Sequence, residues 1–467
     1  MPSWDNPLGL DLHIDVGGEL GSRSIAAALR EAVTSGRLPA GTRLPGTRSL
    51  ADDLGIARGT VVEAYAQLVA EGWLVSTTGS GTHVAETRLP AAKATPEPSG
   101  RRLLDLRPGR PDLSLFPHRL WAASVKRTLT AAEGSTLDYG DPAGLRVLRE
   151  AVATYVSRTR GVRAEAEAVV ITSGFTHGLA LLARALRETG VRTIATEDPG
   201  MPHHRRMIEG AGLATAPLPV DPHGADPGAI PAGARAVLLT PSHQHPRGVV
   251  LSPSRRAAFL AWADSCDGLL VEDDYDGEFR YDKQPVGALQ ASAPERVVFA
   301  GSTSKALAPG LRIGWLVLPQ RLRIPVLDAL LLTGATVAAP GQLALADLFE
   351  RGDYDRHVRR ARHTYQKRRA DLAARLATLT DVPLDGVPAG LHALLPLATP
   401  VEEKRLTDTG LSAGLRVQGL HAAGYWHSAR RSKAGLIIGF ASPPQHSWHP
   451  ALDALTRLLD GAAIAPW

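Results

Sequence analysis

The sequence predicts a chain of two unlike folded parts, a small α+β module followed by a large α/β domain. Residues 20–85 hold three helical segments and then two short strands. Residues 86–102, rich in Pro, Ala and charge, show no periodicity and indicate a linker. From residue 103 to 467, short apolar strands alternate with longer helical segments, which indicates a mostly parallel sheet covered on both faces.

Composition restricts the classes to which the chain can belong. Its 467 residues are 44% hydrophobic and 21% charged, a globular balance, and no apolar run approaches a membrane span. The N-terminus lacks the regions of a signal peptide, and the single cysteine, Cys266, excludes an internal disulfide. The histidines form no metal-binding motif. We therefore expect a cytoplasmic protein without a metal site or a membrane partner.

The module at 20–85 has the order of a winged helix-turn-helix. Ser24 is the expected cap of a first helix, IAAALREAVTSG. A second helix, TRSLADDLG, ends at Gly55, and a third runs from about Arg58 to Glu71 with apolar residues at helical spacing. Two strands, WLVST and THV, are joined by Gly79-Ser80-Gly81. A hairpin in that place is the wing.

This order indicates double-stranded DNA as a partner. The third helix would enter the major groove N-terminus first, which places Arg58, Gly59 and Thr60 at the bases. Arg48 would contact the backbone, and the wing tip at Gly81 would lie against the minor groove. Six arginines against five acids in residues 21–85 leave only a small positive charge. A module that binds protein therefore stays an alternative.

The segment LPGTRSLADDLGIARGTVVEAYAQLVAEGWLVSTTGSGTHV resembles the DNA-binding domain of the GntR family. The resemblance implies that Arg48, Arg58, Thr60 and the wing-tip Gly81 contact operator DNA. Two positions depart from the family pattern: Ala57 stands where a capping Ser or Thr is usual, and Gly59 where a larger polar residue is common.

In the large domain, the stretch RVVFAGSTSKALAPGLRIGW predicts a cofactor site. A buried strand ends in a turn that delivers Lys305, and a desolvated lysine can attack an aldehyde. Ser302, Ser304 and Arg312 beside it would suit a phosphate. We interpret the stretch as a pyridoxal 5′-phosphate (PLP) Schiff-base site. A solvated lysine is the alternative; a Ser-x-x-Lys hydrolase would need Ser-Asp-Asn and Lys-Thr-Gly motifs that the chain lacks.

Other strand ends should meet Lys305 at the same edge of the sheet. We predict strands at 168–172, 192–196, 236–240, 268–273 and 296–300. The first of these strands is followed by Ser173, Gly174 and Phe175, which open a helix. Their amides could bind a phosphate; the alternative is that these residues only cap the helix. Asp273 could hold a pyridinium nitrogen, or form an ion pair, and Tyr275 could donate to a phenolate oxygen, or only pack.

Residues 103–467 resemble fold type I PLP-dependent aminotransferases, which carry a smaller C-terminal α/β subdomain. The motifs are YGDPAGLRVLREAVATY, EDPG, TPSHQHPRG, EDDYDGEFRY and STSKALAPGLRIGW. Behind a GntR domain, this is the architecture of the MocR (GabR-like) regulators. The resemblance implies a set of PLP contacts: Lys305 at the Schiff base, Asp273 at the pyridine nitrogen, Tyr275 at the ring oxygen, and Ser302, Ser304, Arg312 and the amides of Gly174 and Phe175 at the phosphate. It also implies a homodimer, head-to-tail, in which Tyr139 reaches the partner's phosphate.

Several positions depart from the aminotransferase pattern. Met201 replaces a tyrosine, and His245 takes the cofactor-side place of the asparagine in NPTG. Ile437 stands where a substrate-carboxylate arginine is usual, and Arg205 and Arg430 are the expected substitutes. We therefore predict a PLP-dependent transcriptional regulator whose effector is an amino acid, an amine or PLP itself. A functional aminotransferase with an attached helix-turn-helix, and a purely structural dimerisation domain, are the alternatives.

Overall fold

A computed structural model describes residues 21–77, 80–85, 103–281, 286–427 and 433–466. The chain divides into two compact units, Met1–Gly100 and Arg101–Trp467. The linker predicted at 86–102 lies outside the described residues. Within the described ranges, every helix is too short or too polar to span a bilayer.

The N-terminal unit is the predicted winged helix-turn-helix. Its elements, in chain order, are α1 (Ser22–Thr34), α2 (Thr47–Leu54), α3 (Arg58–Ala70), β1 (Leu74–Thr77) and β2 (Gly81–Val84). The two strands pair antiparallel, and one apolar cluster joins the helices to the hairpin. Buried Leu29 of α1, Leu50 of α2 and Leu68 of α3 belong to that cluster, so each helix buries one face.

The first helix differs from the prediction in its cap. It begins at Ser22 with Gly21 as the N-cap, so Ser24 lies one turn inside. The Ser24 hydroxyl accepts a hydrogen bond from the Gly21 amide at 3.0 Å and so caps the helix from its third position. The third helix has no side-chain cap at Ala57, as its sequence implies.

The C-terminal unit is built on an eight-stranded sheet of order β4-β11-β10-β9-β8-β5-β6-β7. The strands are β4 (Val169–Thr172), β5 (Thr193–Asp198), β6 (Ala214–Asp221), β7 (Gly224–Ala225), β8 (Ala236–Leu239), β9 (Leu269–Asp273), β10 (Val297–Ser302) and β11 (Gly314–Val317). The pairs from β6 through β10 are parallel, whereas β11 is antiparallel to β10 and β4. The five predicted strands are present, and β11 interrupts the parallel order.

Helices cover both faces of this sheet. They are α4 (His118–Ala131), α5 (Arg146–Arg160), α6 (Phe175–Glu188), α7 (Pro202–Gly210), α8 (Pro253–Ser265), α9 (Gln320–Thr333), α10 (Ala339–Glu350) and α11 (Asp353–Leu376). Along β10 the buried side chains alternate between faces: Phe299 joins one apolar cluster, and Val298 and Ala300 join another. Both faces of the strand are therefore buried, which explains its continuous apolar run.

A smaller C-terminal α/β subdomain completes the unit. Its elements are β12 (Ala393–Leu397), α12 (Pro400–Ser412), β13 (Leu415–Arg416), β14 (Gln418–Gly419), β15 (Ala434–Ile438) and α13 (Trp448–Leu459). Strands β12, β15 and β14 form an antiparallel sheet, and β13 pairs with β3 (Leu104–Asp105) at the start of the unit. The fold class predicted from the sequence is confirmed.

Candidate functional site

One pocket at the carboxyl ends of the parallel strands brings most of the predicted cofactor residues together. This is the edge of an α/β sheet where ligands bind. The predicted residues that line it are Gly174, Phe175, Arg205, His245, Asp273, Tyr275, Ser302, Ser304, Lys305 and Arg312. They follow the ends of four strands, lie in the first turns of two helices or, like Arg312, follow a short 3₁₀ helix, so the pocket exists only in the folded chain.

Lys305 follows β10 on the predicted turn. Its Nζ donates a hydrogen bond to the carbonyl oxygen of Gly109 at 2.6 Å. Burial lowers the pKa of this amine, and the carboxylates of Asp273 and Asp276 oppose that effect. A lowered pKa increases the neutral fraction of the amine, which is the form that attacks an aldehyde.

Asp273 ends β9 and is only 4% exposed. Its Oδ1 has no hydrogen-bond partner among the described residues. Burial raises the pKa of this carboxyl well above its usual range, although the nearby Lys305 amine counteracts the shift. An unpaired buried acceptor costs roughly 1–3 kcal/mol. The pocket therefore fits a ligand that brings an N–H donor to Asp273, as a protonated pyridine nitrogen does.

Tyr275 lines the pocket beside a buried histidine–aspartate pair. Its hydroxyl donates to the carbonyl oxygen of His243 at 2.9 Å and lies 3.1 Å from the Nδ1 of that ring. His243 Nδ1 also lies 2.8 Å from Asp276 Oδ2. The predicted bond from Tyr275 to a ring oxygen would require its hydroxyl to turn away from this carbonyl.

Asp276 also lies close to two histidines, His243 and His392, a cluster that the sequence did not indicate. The ligand atoms of His243, Asp276 and His392 lie within 4.8 Å of one another. Hydrogen bonds account for the arrangement, because His243 bonds Asp276 and His392 Nε2 bonds the carbonyl of Pro246 at 3.3 Å.

The end of the pocket beside α6 has the character of an anion site. Arg312 is exposed and lines this end of the pocket, and the ion pairs of the described residues do not include it. It adopts a left-handed backbone, φ 52°, that aims its guanidinium towards Gly174. A Cβ at Gly174 would lie 3.6 Å from that guanidinium, so glycine leaves room for a ligand there. The amides of Phe175 and Thr176 begin α6 and have no intrahelical acceptor.

Three residues predicted to contact the phosphate, Ser173, Gly174 and Tyr139, are not positioned to do so in the described chain alone. The Gly174 amide donates to the carbonyl of Thr172 at 2.8 Å, because the turn before α6 is tight. The Ser173 amide donates to His177 Nδ1 at 3.0 Å, and Ser173 is not among the residues that line the pocket. Tyr139 is fully exposed on its own chain. Its contact with a partner's phosphate stays a prediction.

The side of the pocket expected to bind an effector contains Arg205, but other groups already engage that side chain. Its guanidinium donates to the backbone carbonyls of Gly200, Gly424, Tyr425 and Trp426. Arg430, the other predicted effector arginine, lies outside the described residues.

Ile437 is fully buried on β15 and packs with apolar neighbours. Met201, which stands in place of a tyrosine, packs against the same cluster and lines the pocket.

Three titratable residues that line the pocket were not predicted from the sequence: Glu197, His204 and His392, the last of which is described above. Glu197, near the end of β5, is buried and accepts hydrogen bonds from the Thr240 amide at 3.2 Å and the Thr240 hydroxyl. Burial raises the pKa of Glu197 to about 7. His204 packs edge-on against Phe175, and burial lowers the pKa of this imidazole to about 3. The strand-end rule would have found Glu197, whereas no pattern pointed to His204.

The predicted DNA contacts lie on the surface of the N-terminal unit. Arg48, Arg58 and Gly59 are exposed, and Thr60 is half-buried at the start of α3. Gly81 opens β2 with φ +90°, and the Arg43 guanidinium lies beside it, 3.3 Å from where a Cβ would be. Arg43 is a further cation at the wing that the sequence interpretation did not single out.

Comparison with known proteins divides the chain in the same way. Residues 22–84 match the family described as bacterial regulatory proteins of the gntR family, and residues 104–412 match aminotransferase class I and II.

The pyridoxine biosynthesis transcriptional regulator PdxR of Corynebacterium glutamicum is 35% identical over 422 residues, 89% of this chain and 90% of that protein. The rhizopine catabolism regulatory protein MocR of Rhizobium meliloti is 31% identical over 460 residues, 93% of this chain and 92% of that protein.

Solved aminotransferase structures share the fold of the C-terminal unit. An archaeal alanine:glyoxylate aminotransferase superposes with a TM-score of 0.71 at 24% identity and covers 77% of this chain and 91% of its own. A Pyrococcus horikoshii kynurenine aminotransferase superposes with a TM-score of 0.69 at 22% identity and covers 77% of this chain and 91% of its own. A GntR unit precedes this aminotransferase-like unit in one chain. The chain therefore belongs to the MocR/GabR-like regulators of the GntR family, transcriptional regulators with an aminotransferase-like domain.

Proposed function

We propose that this protein binds operator DNA through its N-terminal unit and that PLP, held at Lys305, is the signal that changes this binding. The observation that carries the proposal is the pocket itself. It joins a lysine of lowered pKa, a buried carboxyl oxygen without a partner among the described residues, and an arginine that none of their ion pairs includes. These three groups match the aldehyde, the ring nitrogen and the phosphate of one small molecule.

Each group would have a separate task. PLP, when bound, supplies an electron-withdrawing ring and an aldehyde that condenses reversibly with amines. Lys305 would present its amine to the aldehyde carbon, and Asp273 would accept the hydrogen of the ring nitrogen. The phosphate would lie between Arg312, Ser302 and the first amides of α6, where charge-assisted hydrogen bonds are strong.

The arrangement of cations favours PLP over an amino acid as the signal. An amino acid brings a carboxylate that needs its own cation. In the part of the pocket that the structure describes, Arg312 would serve the phosphate, and Arg205 already donates to four carbonyl oxygens. The similarity to a regulator named for pyridoxine biosynthesis supports the same choice.

We also propose that the working form is a homodimer, with Tyr139 directed into the pocket of the partner subunit. Tyr139 is fully exposed, and nearby Leu137 is 60% exposed. Apolar and aromatic groups left in water in this way are typical of surfaces that associate.

The experiment measures DNA binding of the full-length protein with and without PLP. DNA fragments are selected from a random pool, and their affinity is then followed by fluorescence anisotropy at fixed salt. We expect PLP to change the dissociation constant by about 5–150-fold, the usual range of allosteric coupling. Pyridoxine 5′-phosphate, which lacks the aldehyde, is the matched control and should act more weakly.

Other outcomes would contradict the proposal in distinct ways. An unchanged dissociation constant despite spectroscopically visible PLP would show that the cofactor is not the signal. Amines and amino acids would then be titrated into the loaded protein, and a response to one of them would make that compound the effector. Repeated conversion of a 2-oxo acid would show a functional aminotransferase.

A further inference from the structure

His245 lines the pocket, near Lys305 on one side and bonded to Tyr425 of the C-terminal subdomain on the other. Its side chain is buried, and the residue is 5% exposed. Burial lowers the pKa of this imidazole well below its usual range, and the positive charge of Lys305 adds to the shift. The ring is therefore neutral and carries one hydrogen, on Nδ1 or on Nε2. Which nitrogen carries it decides whether His245 presents a donor or an acceptor to the pocket.

Tyr425 supplies the hydrogen bond that settles this choice. Its hydroxyl lies 3.1 Å from His245 Nε2, and it accepts a hydrogen bond from Gln418 Nε2 at 2.8 Å. A phenol has a single hydrogen, and burial raises the pKa of Tyr425, so that the hydrogen stays on the oxygen. Gln418 donates to the oxygen, and His245 Nε2 is the one acceptor that the described residues offer the hydroxyl hydrogen, so the hydroxyl donates to His245 Nε2. The ring hydrogen is left on Nδ1.

Contacts to both its ring and its backbone fix the position of Tyr425. Its ring is 1% exposed and packs with Leu394, Leu420 and Ile437. Its carbonyl oxygen accepts hydrogen bonds from Arg205 at 2.9 Å and from the Gly200 amide at 3.0 Å. Arg205 thus fixes the backbone at Tyr425, and Ile437 is one of the apolar side chains that pack against the Tyr425 ring.

We infer that Tyr425 is a positioning residue that holds His245 in the Nδ1–H tautomer, so that His245 donates a hydrogen bond to an anionic oxygen of the pocket ligand. His245 Nδ1 has no acceptor in the described part of the chain, and the residue lines the pocket. The phenolate oxygen of PLP, next to the aldehyde that faces Lys305, is the acceptor that this donor fits. The identity of that acceptor rests on the proposed function; the tautomer does not.

The first test reads the tautomer directly. Full-length protein labelled with ¹⁵N-histidine is freed of cofactor, and the two ring nitrogens of His245 are assigned by their loss in His245→Asn. We expect a protonated Nδ1 in the wild type and a shift towards protonated Nε2 in Tyr425→Phe, which keeps the ring but removes the hydroxyl. A protonated Nε2 in the wild type, or an unchanged tautomer in Tyr425→Phe, would overturn the inference.

The second test is a double-mutant cycle on PLP affinity, measured by absorbance titration. Tyr425→Phe should weaken binding about three- to tenfold, the effect of one hydrogen bond. In a His245→Asn background the same change should have no effect, because the asparagine amide donates without a tautomer. Tyr365→Phe, which removes a buried hydroxyl bonded to the Asp112 amide, is the control and should be neutral.

An equal loss from Tyr425→Phe in both backgrounds would show that the tyrosine acts without His245 and would overturn the inference. If the wild type bound no PLP, the proposed function would fail, and the tautomer measurement would still decide the role of Tyr425.

Discussion

The two units of this protein treat their charged residues in opposite ways. In the N-terminal unit, the arginines predicted to meet DNA, Arg48 and Arg58, are exposed. In the C-terminal unit, the carboxyls of Asp273 and Glu197 are withdrawn from water, and burial raises the pKa of both. The difference follows from the ligands. A DNA duplex approaches a surface, whereas a small cofactor must be enclosed to be recognised.

Removal of an exposed arginine and removal of a buried carboxyl should affect the stability of the protein differently. An exposed arginine contributes little to folding, so its removal should change DNA binding alone. A buried carboxyl without a partner destabilises the empty pocket, so its removal should raise stability and lower ligand affinity together.

The largest expected effect is that of Lys305→Ala. Without the amine there is no covalent attachment, so we expect complete loss of the visible absorption band of lysine-bound PLP and loss of the operator response to PLP. Absorbance and anisotropy titrations measure the two losses. Lys404→Ala, which removes an exposed lysine on α12, is the control. A visible band of full amplitude in Lys305→Ala would refute the site.

Asp273→Asn tests the buried side of the comparison. The uncharged amide should raise the melting temperature of the cofactor-free protein, because it removes a carboxyl whose pKa burial raises. PLP affinity should fall by about 1.5–3 kcal/mol, the strength of a hydrogen bond to a charged group. Thermal unfolding with and without PLP measures both. If Asp273→Asn lowered the stability of the cofactor-free protein as much as that of the PLP-bound protein, the buried carboxyl would not destabilise the empty pocket.

Arg58→Ala tests the exposed side. Operator affinity should fall by about 1–3 kcal/mol if this side chain reads a base, with an unchanged melting temperature. The control is Arg37→Ala, an exposed arginine of the same unit that removes the same charge. Equal losses in the two variants at physiological salt would mean that Arg58 contributes only general electrostatic attraction.

Glu197→Gln should change stability with a defined pH dependence. Burial raises the pKa of Glu197 from 4.5 to about 7, so the wild type loses stability as pH rises between those values. Relative to the wild type, Glu197→Gln should gain about 2 kcal/mol between pH 5.5 and pH 8 in the cofactor-free protein.

Urea unfolding at the two pH values measures this gain. Glu402→Gln is the control, because its hydrogen bond with Arg405 lowers the pKa of Glu402 to about 2 and its contribution is constant above pH 5. A Glu197→Gln difference that did not change with pH would show that the carboxyl is already ionised at pH 5.5.

The helices, the strands and the gathering of most of the proposed cofactor residues at one pocket could be predicted because their signals are local. Apolar periodicity marks β9 and β10, and the rule that parallel strands share a carboxyl edge brings Asp273 and Lys305 together. The cap of α1 was misplaced by about one turn, because Ser24 acts from inside the helix and not at its N-cap. Helix boundaries depend on such single hydrogen bonds.

By itself, the sequence determined the order of the two units, the edge of the sheet at which the pocket lies, and the chemical types that line it. These follow from backbone periodicity and from residues a few positions apart. Only the tertiary structure decided which partner each side chain takes. It directs Arg205 to the carbonyls of 424–426 and joins Tyr425 to His245 across 180 residues. A long polar side chain bonds whichever group the fold brings within about 3 Å, and no local pattern records that neighbour.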